Sequence, residues 1–259
     1  MKKFTLITGG SSGLGKELAF LYAKDNNNIL LVATNKTKLE KVKEEIKSIN
    51  QNIEVEYLIA DLSSQEEREK IFSYTQEKDY FINNLVNNAG FGDQKDFKDM
   101  DINYQIKMLE VNCAALLYFS RIYLDDMLKH NEGHIINVGS IAGFLPGPYM
   151  STYHASKGYV LLLGEAISYE LRKTKVKCLT LCPGPFLSDF VEKAHNDWTF
   201  KKIKPVPASV VAKQAYNKSK KGKSLHIVGL NNKLTIFATR FAPRSFVTKS
   251  SAKTTKKDA

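Results

Sequence analysis

The sequence predicts an α/β fold, one doubly wound parallel sheet of about seven strands with helices on both faces. Three observations carry that expectation. Short apolar runs alternate with helix-patterned segments along most of the chain, the rhythm of parallel strands buried on both faces. The first apolar run enters a glycine-rich turn that opens into a helix. Polar residues suited to chemistry fall just past the ends of later strands, where ligands bind in open α/β sheets. With 43% hydrophobic and 25% charged residues in 259, the chain has material for one large core or two small ones.

Phe4 to Thr8 reads as a short buried strand. It runs into Gly9-Gly10-Ser11-Ser12-Gly13-Leu14-Gly15, and helical spacing follows from Lys16. Strand, glycine turn and helix in that order form a phosphate cradle, because the glycines allow close backbone approach and the helix start offers free N–H groups. Gly9, Ser11, Ser12, Gly13, Leu14 and Gly15 are therefore candidate dinucleotide contacts. The second strand, Asn28 to Ala33, leads to Thr34, Asn35, Lys36 and a charged helix from Lys38 to Ile49. An acidic side chain here would hold the ribose hydroxyls of NAD. Positions 32–39 contain no Asp or Glu, so Thr34, Asn35 and Lys38 favour the 2′-phosphate of NADP(H), with NAD(H) possible; as solvated helix-start residues they would carry no preference.

The third strand, Ile53 to Ala60, ends at Asp61-Leu62. Asp61 serves either an adenine amino group or a helix cap, and Ser63 with Glu66 has the spacing of a capping box. The fourth, Phe81 to Val86, ends in Asn87-Asn88-Ala89-Gly90. Ile102 to Lys129 is a long helical stretch with Asn112 inside it. Asparagine suits helix interiors poorly, so position 112 is either an exposed tolerated residue or a local kink. Gly133 to Val138 is the fifth strand, with Ser140 just beyond it. After a loop over 143–148, a helix continues through Leu171 and carries Tyr153 and Lys157 on one face. A tyrosine titrates near ~10 and is a poor acid at neutral pH; a cation beside it would lower that value. Val176 to Leu181 is the sixth strand, followed by Cys182-Pro183-Gly184-Pro185.

Phe186 to Pro207 follows this turn as a cover, with Phe186, Phe190, His195, Trp198 and Phe200. Its aromatic content fits an apolar substrate and equally fits helices docking on a core. A helix starts at Pro207 in its first turn, and Ser224 to Val228 is the seventh strand. The net charge of +11 is uneven. Residues 201–259 hold 15 Lys and Arg against Asp258 alone, whereas residues 1–200 hold 23 against 26 acids. This end carries Leu234, Phe237, Phe241 and Phe246 among Lys233, Arg240 and Arg244; Pro243 breaks any helix, and Lys249 to Ala259 reads as disordered. A subunit contact, a lip over the pocket and a segment on an anionic membrane surface compete, and the lip or the subunit contact is the expectation. Nucleic-acid binding rests on charge alone, with no recognition module. The chain divides into a catalytic domain over 1–229 and a basic extension over 230–259. Cys113, Cys178 and Cys182 form no C-x-x-C pair, the histidines show no metal-ligand spacing, and the start reaches glycines too soon for a signal peptide; a cytoplasmic protein without a metal is the expectation.

Taken together, T-G-x-x-x-G-x-G (Thr8, Gly9, Gly13, Gly15), N-N-A-G (Asn87 to Gly90), Asn112, Ser140, Tyr-x-x-x-Lys (Tyr153, Lys157) and Pro183-Gly184 resemble the short-chain dehydrogenase/reductase family. A basic C-terminus is more weakly similar to a bacterial branch related to long-chain 3-ketoacyl and hydroxysteroid reductases. The resemblance implies a Rossmann-type sheet, hydride transfer between nicotinamide and a carbonyl/alcohol pair, and a homodimer or homotetramer. It implies Tyr153 as proton donor or acceptor, Lys157 as the residue that lowers its pKa and holds the nicotinamide ribose, Ser140 as donor to the substrate oxygen, and Asn112 as holder of a relay water. Asp61, Leu62, Asn88, Ala89, Gly90, Pro183, Gly184 and Phe186 become cofactor contacts, as does Ser188, where many members have threonine. His154 and Cys182 read as packing residues. The rival reading is a dinucleotide-sensing or membrane-surface protein that keeps the fold without turnover.

Overall fold

The computed structural model describes residues 1–186 and 205–255. Strands β1 (Lys2–Thr8), β2 (Asn28–Ala33), β3 (Val55–Ile59), β4 (Tyr80–Asn87), β5 (Gly133–Val138), β6 (Val176–Cys182) and β7 (Leu225–Ile227) form one sheet in the order β3-β2-β1-β4-β5-β6-β7. Every neighbouring pair is parallel. The winding reverses between β1 and β4, and their register, Ile7 opposite Val86, brings the loops after both strands together. That reversal opens the crevice in which such sheets bind ligands.

The strands are apolar on both faces because both are covered. Ile7, Ile29 and Leu31 pack under α1 (Gly13–Lys24), α2 (Lys36–Ile49) and α7 (Ala208–Lys220), against Leu18, Tyr22, Val42, Ile46 and Val211. Phe4, Leu6 and Leu30 point the opposite way, under α3 (Gln65–Glu77) and α5 (Ala115–His130), against Ile71, Phe119, Tyr123 and Met127. Each such side chain, fully buried, is worth roughly 1.5–3 kcal/mol. Helix α6 (Ser151–Glu170) packs along β6.

Several local expectations are corrected. The cap of α3 is Ser64, whose side chain accepts from Glu67 N–H at 3.3 Å. Ser63 is held one residue back because its N–H and hydroxyl both bond Asp61 Oδ1. The stretch from Ile102 is three pieces: α4 (Ile102–Leu109), a wide π turn (Glu110–Ala114) and α5. Asn112 sits in the π turn and is 1% exposed, which selects the kink over the exposed residue. Pro207 precedes α7 as its cap residue, in extended conformation, instead of lying within the first turn.

The C-terminal expectation changes most. Pro243 does separate two helices, α8 (Leu230–Thr239) and α9 (Arg244–Thr255). The segment from Lys249 is helical to Thr255 because Val247, Ser251 and Thr255, four residues apart, bury one face. Thr255 Oγ1 donates to Pro148 O at 2.8 Å, and Gln94 Nε2 donates to Thr255 O. Helix α8 packs on the Ile141–Phe144 turn, and Asn232 Nδ2 donates to Val228 O at 2.7 Å. The extension thus lies against loops that flank Ser140 and Tyr153. No described helix is long and apolar enough to cross a membrane.

Candidate active site

The turn after β1 has the shape that its glycines predict. Gly9 and Gly13 lie in the left-handed region, with φ of +65° and +52°, which side chains disfavour. A Cβ on Gly15 would run into the Gly9 carbonyl and stand 2.7 Å from Asn88 Nδ2. Asn88 explains the closeness: its Nδ2 donates to Thr8 O at 2.9 Å and to Gly9 O at 3.2 Å. Thr8 Oγ1 accepts from both Asn88 N and Ala89 N. Thr8 therefore locks the two crevice loops together, a role that its position in the glycine motif signals once β1 and β4 are known to be neighbours.

Ser12 caps α1 without spending its side chain on a cap bond. A cleft of about 600 Å3 opens here, lined by Ser11, Ser12, Gly13, Lys16, Lys38 and Lys41 among others. Leu14 and Leu62 are core residues, 2% and 4% exposed, so their side chains face away from solvent. Thr34 follows β2, and Asn35 Oδ1 caps α2 by accepting from Lys38 N at 2.9 Å. Lys16, which the sequence reading passed over, pairs with Glu45 at 2.5 Å. Asp61 does not cap α3, whose cap is Ser64; its Oδ1 accepts from Ser63, and Oδ2 pairs with Lys107 at 2.7 Å. Partial burial would raise its pKa, but the bonds from Lys107 and Ser63 hold the carboxyl below its ordinary value.

At the ends of β4 and β5 the reactive groups converge. Within the π turn, Asn112 Oδ1 accepts from Phe91 N at 3.0 Å, and its Nδ2 donates to Phe91 O at 2.9 Å and Ser156 Oγ at 3.1 Å. It fixes the loop after Gly90 to α6. A Cβ on Gly90 would stand 2.9 Å from Asn112 Oδ1 and 3.5 Å from Lys157 Nζ, so only glycine keeps that space open. Ser140 Oγ accepts from Ala142 N at 3.1 Å and hydrogen-bonds the Tyr153 phenol. Ser156, which also donates to Tyr153 O at 2.7 Å, is a second residue that sequence reasoning missed; its place three residues after Tyr153 was the available signal.

The electrostatics depart from the expectation that Lys157 lowers the Tyr153 pKa. Burial dominates and pushes the phenol up to about 12, the Ser140 hydrogen bond pulling the other way and the nearby Cys182 thiol adding to the rise. Tyr153 as a residue is only partly buried, which tempers that rise. Lys157 is 6% exposed, and the same desolvation drives its ammonium down to about 8. Its Nζ lies 5.9 Å from the Tyr153 ring centre and donates to Val138 O at 2.8 Å. One of the three ammonium protons is thus held by a backbone carbonyl.

Pro183 O accepts from Ile141 N at 3.0 Å, which ties the turn after β6 to the segment bearing Ser140. Gly184 is packed against Asn232 of the extension; a Cβ there would stand 2.6 Å from Asn232 Nδ2. Phe186 forms an isolated parallel bridge with Val206, and so closes the base of the expected cover. Ser188, Phe190, His195, Trp198 and Phe200 lie outside the described residues. His154 packs as expected: it is buried, its Nδ1 bonds Leu145 O at 2.9 Å, and burial lowers its pKa. Cys182 is likewise enclosed, with its thiol pushed up to about 12 by burial.

Comparison with known proteins shows the family and the fold. An uncharacterized oxidoreductase of Staphylococcus saprophyticus is 32% identical over 200 residues, covering 77% of this chain and 84% of the relative. A short-chain dehydrogenase from Sphingobium yanoikuyae, solved in complex with NADPH, has a TM-score of 0.84 at 24% identity and covers 95% of each chain. A short-chain dehydrogenase/reductase from Burkholderia phymatum, solved in complex with NAD, has a TM-score of 0.82 at 22% identity over 91% of this chain and 92% of that one. The sequence profile described as short chain dehydrogenase matches residues 3–198. The chain belongs to the short-chain dehydrogenase family and is an oxidoreductase of CH–OH groups.

Proposed function

We propose that the chain is an NADP(H)-dependent reductase of apolar carbonyl compounds, or in reverse a dehydrogenase of the corresponding secondary alcohols. The observation that carries this reading is the hydrogen-bonded pair of Ser140 and Tyr153, set with Lys157 beside the space that Gly90 keeps open. The glycine turn, which a Cβ at Gly15 would fill, fits a pyrophosphate at the start of α1. A nicotinamide dinucleotide supplies the hydride donor or acceptor when it is bound. Gly9, Ser11, Ser12, Gly13 and Gly15 would hold its phosphates, with Asn88, Ala89 and Gly90 across the crevice and Pro183, Gly184, Phe186 and Ser188 on the other side.

Two hydroxyls, from Ser140 and Tyr153, meet where a carbonyl oxygen would gather negative charge. Ser140 donates a hydrogen bond there, and Tyr153 releases its proton to that oxygen in reduction. A phenol held near its protonated form by burial is suited to donation. Lys157, with its ammonium easily deprotonated, is the group from which Tyr153 would be resupplied. Asn112 acts by position, since its amide bonds hold the loop at Gly90 and α6 in place. Tyr153→Phe is expected to lower turnover by roughly 10²–10⁴-fold while dinucleotide affinity stays within a few fold. Steady-state rates over a panel of ketones, ketoacyl thioesters, steroids and quinones, read by reduced-nicotinamide absorbance, test this. Substantial turnover in the variant would overturn the role of Tyr153.

The preference for the phosphorylated dinucleotide is supported by Lys38 and Lys41 in the cleft and by the lack of an acid at positions 32–39. Lys38→Glu with Lys41→Glu is expected to weaken NADPH by at least about tenfold and leave NADH little changed, since two bonds from cations to phosphate are lost; equal losses for both would sink the preference. An apolar substrate is supported by the aromatic content of the sequence from Phe186 to Pro207. A homo-oligomer is supported by exposed Ile102, Ile106, Leu109, Leu117 and Leu162 along α4, α5 and α6, and light scattering decides its size.

A further inference from the structure

The two last helices each carry exposed apolar side chains among exposed cations. Leu230, Leu234, Phe237 and Phe241 recur at intervals of four, three and four residues, one stripe of a helix. They are 70%, 59%, 57% and 77% exposed, and Phe246 on α9 is 64% exposed. Lys233, Arg240, Arg244, Lys249 and Lys253 stand exposed among and beside them, and residues 230–255 contain no Asp or Glu. This stripe is not core left undone. Ile236 and Val247 already fill the inner side, and Thr255 is bonded to Pro148.

Charge decides what covers the face. A second copy meeting it about a two-fold axis would bring five cations against five with no acid between them. An anionic bilayer surface satisfies both halves of the pattern: aromatic and leucine side chains enter the boundary between headgroups and acyl chains, while cations meet lipid phosphates. We propose that residues 230–255 dock this chain on an anionic lipid bilayer, through Leu230, Leu234, Phe237, Phe241 and Phe246 and the five surrounding cations. The docked helices are those packed on the Ile141–Phe144 turn and on Pro148, so the loops flanking Ser140 and Tyr153 lie beside the lipid surface.

Docking requires no turnover, so its test is separate from that of the reductase reading. The full-length chain is floated with vesicles of phosphatidylcholine alone and of phosphatidylcholine mixed with phosphatidylglycerol. Binding to the mixed vesicles is expected to exceed that to neutral ones by about tenfold or more and to weaken as salt is raised. Phe237→Ser with Phe241→Ser, and separately Arg240→Glu with Arg244→Glu, should each cut binding by about tenfold or more. Circular dichroism and melting should stay as in the parent, because all four side chains are exposed. Failure of the parent chain to bind either vesicle, or binding that neither variant alters, overturns the proposal. So does a fall in particle mass in the phenylalanine variant without vesicle binding by the parent, which would assign the face to a second copy.

Discussion

Asn112→Ala is expected to unseat the loop after Gly90 and, through it, the start of α6. Three bonds are lost: from Phe91 N at 3.0 Å, to Phe91 O at 2.9 Å and to Ser156 Oγ at 3.1 Å. At about 1 kcal/mol net for each, the cost is roughly 3 kcal/mol. For a chain of this size that corresponds to a fall in Tm of roughly 6–12 °C. Alanine is the better helix former, so intrinsic propensity works against the effect and makes the sign informative. Asn112→Leu, which is larger but has the same branching at Cγ, is the companion variant. It keeps the packing and loses the bonds, so it should melt nearly as low as the alanine variant. Calorimetry of both variants, beside dinucleotide titration and turnover, checks the reasoning. If both melt within about 1 °C of the parent, the amide bonds do not hold the π turn. If only the alanine variant falls, packing and not hydrogen bonding is what Asn112 supplies.

Two further outcomes follow from the same crevice. Lys157 is depressed to about 8 in the folded chain, below the ordinary value near ~10.4, so between those values the unfolded state binds more protons. Stability therefore rises with pH across that window. Compared with Lys157→Met, the parent should gain up to roughly 3 kcal/mol from neutral pH to above pH 10, read as the pH dependence of the difference in Tm; a flat difference would mean that the ammonium is not desolvated. Gly15→Ala presses a methyl group on the Gly9 carbonyl and Asn88. Overpacking against backbone of this kind costs about 1–3 kcal/mol, and dinucleotide affinity should fall at least about tenfold as the turn deforms; an unchanged dissociation constant would show that the turn is not the cradle.

Much of the fold was legible because both faces of the sheet are covered. β2 and β5 have the bounds that their apolar runs predicted, and Gly9, Gly13 and Gly15 stand where a strand must turn sharply into a helix. Less legible were features that depend on partners distant in sequence. Whether Ser63 or Ser64 caps α3 was set by Asp61 reaching Ser63. The last turns of α9 look disordered in composition, and they are helical because Pro148 and Gln94 meet Thr255.

The sequence by itself determined the strand–helix order, the glycine turn and the spacing that puts Tyr153 and Lys157 on one face of a helix, since each depends on neighbours within a few residues. Only the tertiary structure decided the protonation of that pair. Lys157 is withdrawn from water and Tyr153 partly so, and the Val138 carbonyl accepts from the Lys157 ammonium. Desolvation is the largest influence on each group, and burial of that kind is a property of the packed chain that no local spacing encodes.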